Sequence, residues 1–151
     1  MIALHDRQEQ RGQKNYPPGL ELCDDARPSL KEQPMIVELV TFNFPAGHDR
    51  DSELEAVRGV TAKWAANKDL VRKHFLWGVG DDAGTGAGVY IWPSIEAAER
   101  AHGDEWREGV KKRTGGYPTM RYFDLMTLVD NENGTVTEWD ANGKARQLET
   151  V

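Results

Sequence analysis

Four histidines, five tryptophans and four tyrosines give this 151-residue chain most of its chemical reach. Tyr90 and Trp92 fall two apart in one predicted strand, Tyr122 and Asp124 two apart in another, and His102 and Trp106 four apart in a predicted helix. Strand neighbours at i and i+2 share a face, and so do helix neighbours at i and i+4. If the helix packs over the sheet, these side chains converge on a cavity with flat apolar walls and a few polar tips. Such a cavity suits a planar aromatic or polycyclic ligand. A histidine in it is placed to act as a general base near neutral pH. The competing reading is plain core, because aromatic residues at these periods more often pack on one another than on a ligand.

Other constellations carry less. The glycine-rich stretch Gly80–Gly88 lacks the lysine and Ser/Thr of a phosphate loop and joins two strands instead of opening a helix. Asp81 and Asp82 lack the spacing and terminal glutamate of a calcium loop. His5, His48, His74 and His102 include no helical i, i+4 pair, and the chain has no CxxC, so no metal site is expected. No G-x-S-x-G marks a serine nucleophile.

Composition narrows the classes further. The net charge is −6 and the pI about 5.2, which argues against a nucleic-acid surface built from clustered Lys and Arg. No apolar run approaches the ~20 residues of a spanning helix. The polar, proline-bearing first 34 residues predict no secretory signal. Cys23 is the only cysteine, so no internal disulfide can form, and a reducing, cytoplasmic setting is expected.

The elements that must position these residues begin at Met35. Residues 1–34 hold four of the seven prolines and read as an irregular extension, either wrapped over the domain or a free tail. Strands are predicted over Met35–Phe44, Leu70–Val79, Gly88–Trp92 and Thr119–Val129. A helix is predicted from an N-cap among Asp49–Ser52 to about Asn67, with Leu54, Val57, Thr61 and Trp64 as its apolar stripe. A second helix, capped by Ser94 and broken at Gly103, carries His102 and Trp106. Asn133-Gly134 and Asn142-Gly143 predict tight turns, so residues 132–151 read as a hairpin tail at a sheet edge. Residues 35–131 thus follow the order β-α-β-β-α-β. That is the ferredoxin-like α+β fold, an antiparallel sheet with two helices on one face. Apolar residues fall on both parities of several strands, Val37 and Leu39 against Val40 and Phe42. Burying both faces predicts a homodimer closed sheet to sheet.

The run Gly88-Val89-Tyr90-Ile91-Trp92-Pro93-Ser94 is followed by Ala97-Ala98, Asp104-Glu105-Trp106, Tyr117-Pro118, Tyr122-Phe123-Asp124 and Val129-Asp130-Asn131. This set resembles the YdhR-type monooxygenases of the dimeric α/β-barrel superfamily, from about Met35 to Asn131. The resemblance implies a dimer, a pocket between sheet and helices, and oxygen chemistry on a phenolic substrate with no flavin, haem or metal. It implies a base in His102 or His74, with Tyr122 beside it. Tyr90, Tyr122, Asp124 and Lys73 would then meet the substrate oxygens, and Phe42, Phe44, Trp77, Trp92 and Trp106 would form the walls. The sequence departs from the pattern at His74, Ala87 and Leu125-Met126. A non-catalytic ligand-binding or stress-response dimer is the alternative. Haem, bound by relatives in the superfamily, fits less well: Asn43 matches, but Ala101 and Lys111 stand near the expected helix positions.

Overall fold

The computed structural model describes residues 34–149, so the extension expected over 1–34 lies, but for Pro34, outside the described residues. Strand β1 (Ile36–Asn43) leads to helix α1 (Arg50–Ala65), β2 (Arg72–Trp77) and β3 (Thr85–Trp92). Helices α2 (Ile95–Ala101) and α3 (Asp104–Thr114) follow, then β4 (Thr119–Asp124). The four strands form one antiparallel sheet in the order β2-β3-β1-β4. This is the ferredoxin-like α+β fold, with the second helix divided in two.

Local chemistry sets the boundaries. Asp49 caps α1, its side chain accepting from the Ser52 N–H at 2.8 Å. Ser94 caps α2 in the same way, accepting from Ala97 N–H at 3.1 Å. The break at Gly103 leaves His102 as the C-cap of α2, its N–H still bonded to Ala98 O. Gly115, with φ +89°, ends α3.

Two strands differ from their predicted spans. β3 starts at Thr85, three residues early, because Gly86 and Gly88 sit inside the strand where aromatic rings cover them. A Cβ on Gly86 would lie 2.6 Å from the Phe42 and Phe44 rings, and one on Gly88 would lie 2.7 Å from Tyr90. The long strand expected over Thr119–Val129 is two strands in two sheets. Leu125 N–H still bonds Met35 O, but at Met126 the carbonyl accepts from Trp139, and the chain changes partner. β5 (Thr127–Asp130), β6 (Thr135–Trp139) and β7 (Ala145–Leu148) form a separate three-stranded sheet, not an extension of the first. The turns before β6 and β7 place Gly134 at φ +63° and Gly143 at φ +78°.

Cross-strand register assigns the faces. Ile36, Glu38, Val40 and Phe42 of β1 stand beside Gly86, Gly88, Tyr90 and Trp92 of β3 on the helix side. Lys73, Phe75 and Trp77 of β2 join them, with Met120, Tyr122 and Asp124 of β4. The core lies here: Val40, Tyr90, Trp92, Ala97 and Ala98 are buried, with Trp64 from α1. Val37, Leu39, Leu76, Val89, Ile91 and Phe123 occupy the opposite face, which carries none of the described helices.

Candidate functional site

On the helix side the site has two layers, with Tyr90 between them. The inner layer is sealed. Glu38 is fully buried in a strand that is otherwise apolar on this face, and its carboxylate is fully bonded. His102 Nδ1 lies 2.9 Å from both carboxylate oxygens, and Trp92 Nε1 donates to Oε2 at 2.8 Å. A buried carboxylate needs such donors, since an unpaired one costs several kcal/mol. The His102 ring packs on Trp106 with centroids 3.9 Å apart and stands edge-on to Tyr90 at 4.6 Å. Trp64 and Trp92 close the remaining sides. His102 Nε2 is buried without a hydrogen-bond partner.

The outer layer is a cavity of about 830 Å³ between α1, α3 and the sheet. Leu54, Val57, Val60 and Trp64 of α1 form one wall, and Trp106, Val110 and Arg113 of α3 the other. Lys73, Phe75 and Tyr90 make the floor, with Phe42 and Trp77 at one end. Leu54, Val57 and Trp64 of the predicted stripe therefore face a hollow, with Val60 beside them, while Thr61 is exposed and lies outside the lining. Leu54 and Val60 are each 38% exposed for that reason.

Lys73 is the cation in this floor. Its ammonium group donates to the Tyr90 hydroxyl and sits 3.6–4.3 Å from the ring centroids of Tyr90, Phe75 and Trp64. Burial pulls its pKa down to about 7, with the Glu38 carboxylate pulling the other way. The ring faces favour the charged form as well. Burial, aided by Glu38, holds the Tyr90 hydroxyl well above its ordinary range, so it stays protonated. Arg113 lies 5.1 Å from the Phe42 ring and is held by Glu53 at 3.0 Å.

The predicted site residues thus divide. Phe42, Lys73, Trp77, Tyr90 and Trp106 line the cavity. Phe44 backs it, stacked on Trp77 at 4.8 Å. Trp92 and His102 are behind Tyr90 in the sealed layer, so the expected cluster does not share one hollow. Tyr122 faces Glu38 across the strands and does not line the cavity. Burial and the Glu38 carboxylate push its hydroxyl up to about 12. Asp124 is exposed at the end of the sheet. His74 is corrected outright: its parity turns it to the helix-free face, where it is exposed. A base on that side cannot reach a ligand between the helices.

Three participants were missed as site residues. Glu38 had a signal, a lone carboxylate at an inward position of an apolar strand. Trp64 was read as stripe, and Arg113 had no local signal. Among the described residues, no group of three or more His, Cys, Asp or Glu could hold a metal ion. No described helix is long and apolar enough to cross a membrane.

No family model matches the chain, and no curated protein matches it. Similar solved structures include a candidate antibiotic biosynthesis monooxygenase from Bordetella bronchiseptica. It is 17% identical, with 62% of this chain and 99% of that one covered and a TM-score of 0.49. A dimeric ferredoxin-like protein from an uncultured marine organism is 13% identical, covering 68% and 96%, with a TM-score of 0.45. A point mutant of SnoaB, a cofactor-independent oxygenase from Streptomyces nogalater, is 17% identical, covering 64% and 96%, with a TM-score of 0.41.

Proposed function

We infer that the cavity binds a planar aromatic compound with an acidic hydroxyl, and that the chain is a cofactor-independent monooxygenase acting on it. The observation that carries this reading is the Lys73–Tyr90 pair set in the floor of an aromatic-walled hollow. A phenolate oxygen there meets an ammonium and a hydroxyl in a poorly hydrated setting, where such contacts are strongest. The neutral amine of Lys73 removes the phenol proton, and the resulting ammonium holds the anion. For a substrate with an activated CH₂, the carbanion form reacts with O₂ to give a carbonyl and water; the four electrons come from the substrate carbon.

The resemblance to YdhR-type proteins supports this chemistry, with a change of base from His102 to Lys73. His102 is sealed behind Tyr90 and acts structurally, as the partner of Glu38. The same reading includes a homodimer closed over the helix-free sheet face and, given the single cysteine, a cytoplasmic setting. A second reading, a ligand-binding dimer without turnover, is favoured by the absence of any histidine from the cavity lining among the described residues.

A thermal-shift series with naphthols, anthrones and quinols, followed by oxygen uptake, separates the two. A ligand at 100 times its Kd adds about 2.7 kcal/mol of stability. The oxygenase reading expects both stabilisation and oxygen uptake, lost in Lys73→Met. Stabilisation without uptake leaves the binding dimer, and no stabilisation by any planar phenol overturns both.

A further inference from the structure

Lys73 has surroundings unlike those of an ordinary surface lysine. Its amine is half-buried at the bottom of the cavity, and the rings of Trp64, Phe75 and Tyr90 surround it. Among the described residues no carboxylate oxygen lies within 4.0 Å of it. Other charged groups line the same cavity: Arg50 of α1, Arg100 of α2, held by Asp69, and Asp104 and Glu105 of α3. β1 contributes Glu38, which acts at longer range, and β3 the Tyr90 hydroxyl. α1 contributes Lys63, 5.9 Å from the Trp64 ring, and Glu53, which is bound to Arg113 of α3. The amine is therefore desolvated, aimed into an open cavity and lacks a bonded counter-ion among the described residues, the conditions that make a lysine nucleophilic.

We propose that Lys73 is a covalent capture site, forming an imine with aromatic aldehydes and similarly reactive aromatic carbonyl compounds that enter the cavity. The neutral amine adds to the carbonyl carbon; the nitrogen loses a proton and the oxygen gains one, giving a carbinolamine. Loss of that hydroxyl as water leaves the C=N bond, so one amine and one carbonyl yield one imine and one water. No electrons are exchanged. The Tyr90 hydroxyl, hydrogen-bonded to the amine, keeps its proton over the working range. It is placed to give that proton to the departing hydroxyl and to recover one from the nitrogen. The apolar walls select a flat aromatic carbonyl over a small aliphatic one. This inference uses the same cavity as the oxygenase reading but requires no reaction with oxygen.

1-Naphthaldehyde is the probe, because it has no phenol and cannot report on oxygenation. The full chain is incubated with it at pH 7 together with cyanoborohydride, which traps an imine as a secondary amine, and the product is mapped by peptide mass spectrometry. The expected result is one naphthylmethyl group per chain, on Lys73, formed at least about tenfold faster than on the exposed Lys68 or Lys112. Near pH 7 an ordinary lysine is almost wholly protonated, whereas burial of Lys73 among the three rings at the cavity floor enlarges its neutral fraction. Tyr90→Phe keeps the rings but removes the proton donor; it should slow trapping at Lys73 about tenfold, towards the rate of the exposed lysines, and leave the rate at Lys68 and Lys112 unchanged. The mapping is done on the unaltered chain, so it does not depend on any variant folding. Label spread over exposed lysines with Lys73 unmodified overturns the inference. Oxygen uptake with a naphthol is read separately, so either reading can fail alone.

Discussion

Two ionisable centres lie within a few ångströms of the Tyr90 ring, and the fold treats them differently. Glu38 and His102 are matched to one another, with Trp92 as a third partner, which leaves His102 Nε2 unpartnered among the described residues. Lys73 is opposed by burial and left facing the cavity. The difference has a thermodynamic signature. An unfolded lysine titrates near its ordinary value of about 10.4, and the folded Lys73 near about 7. Between those values the unfolded chain holds a proton that the folded chain has released, so stability rises with pH across that window. Below it, both states are protonated and the contribution is constant. The slope is at most about 1.4 kcal/mol per pH unit, reduced by solvent reaching the amine through the cavity mouth. Urea unfolding at pH 7 and 9 should show this rise in the unaltered chain and not in Lys73→Met. Above about pH 10 the Tyr90 hydroxyl, held protonated in the fold, reverses the trend.

At the level of elements, the cavity depends on what β3 leaves out. Gly86 and Gly88 occupy the inward positions before Tyr90, so the floor is low and the Tyr90 ring lies back over the strand. In Gly88→Ala the new Cβ would stand 2.7 Å from the Tyr90 ring, which must rotate into the cavity. Overpacking of this kind costs about 1–3 kcal/mol. Equilibrium unfolding should show that loss, and naphthol affinity should fall along with it because the floor has risen. The break at Gly103 matters equally. α2 ends at His102, whose imidazole meets Glu38, and the first turn of α3 carries Trp106 onto the ring.

On the scale of the molecule, the helix-free face of the sheet is the unusual surface. Leu76 and Phe123 are 45% and 44% exposed there, beside Val37, Leu39, Val89 and Ile91. Arg72, His74 and Arg121 share this face, so the exposed apolar side chains are set among basic ones. The proposed two-fold pairing would cover this face with a copy of itself, as the parity of the strands leads one to expect. Sedimentation should give a dimer for the unaltered 17.0 kDa chain and a monomer for the double substitution Leu76→Glu, Phe123→Glu. A monomeric unaltered chain would end the dimer proposal and leave the cavity intact, since the described lining comes from a single copy.

Residue order alone was enough for the β-α-β-β-α-β order up to β4, an N-cap among Asp49–Ser52, the cap at Ser94 and the break at Gly103. These are local: period, turn chemistry and capping act over a few residues, and parity places His74 away from Lys73 before any packing is known. Periodicity could not tell which aromatic residues surround a void and which surround one another. Tyr90 and Trp92 share a face, are equally aromatic and are both buried, yet only Tyr90 reaches the cavity lining. That outcome follows from how far α1 and α3 stand off the sheet, a distance fixed by the whole packing. The same holds for Glu38 and His102, 64 residues apart, whose pairing turned an expected base into a structural one. The switch of sheets at Met126 was likewise hidden, because Thr119–Val129 is one continuous strand-forming run and only the competing partner, β6, divides it. Local rules act along the chain; a cavity, a buried ion pair and a change of strand partner are properties of segments that meet only after it has folded.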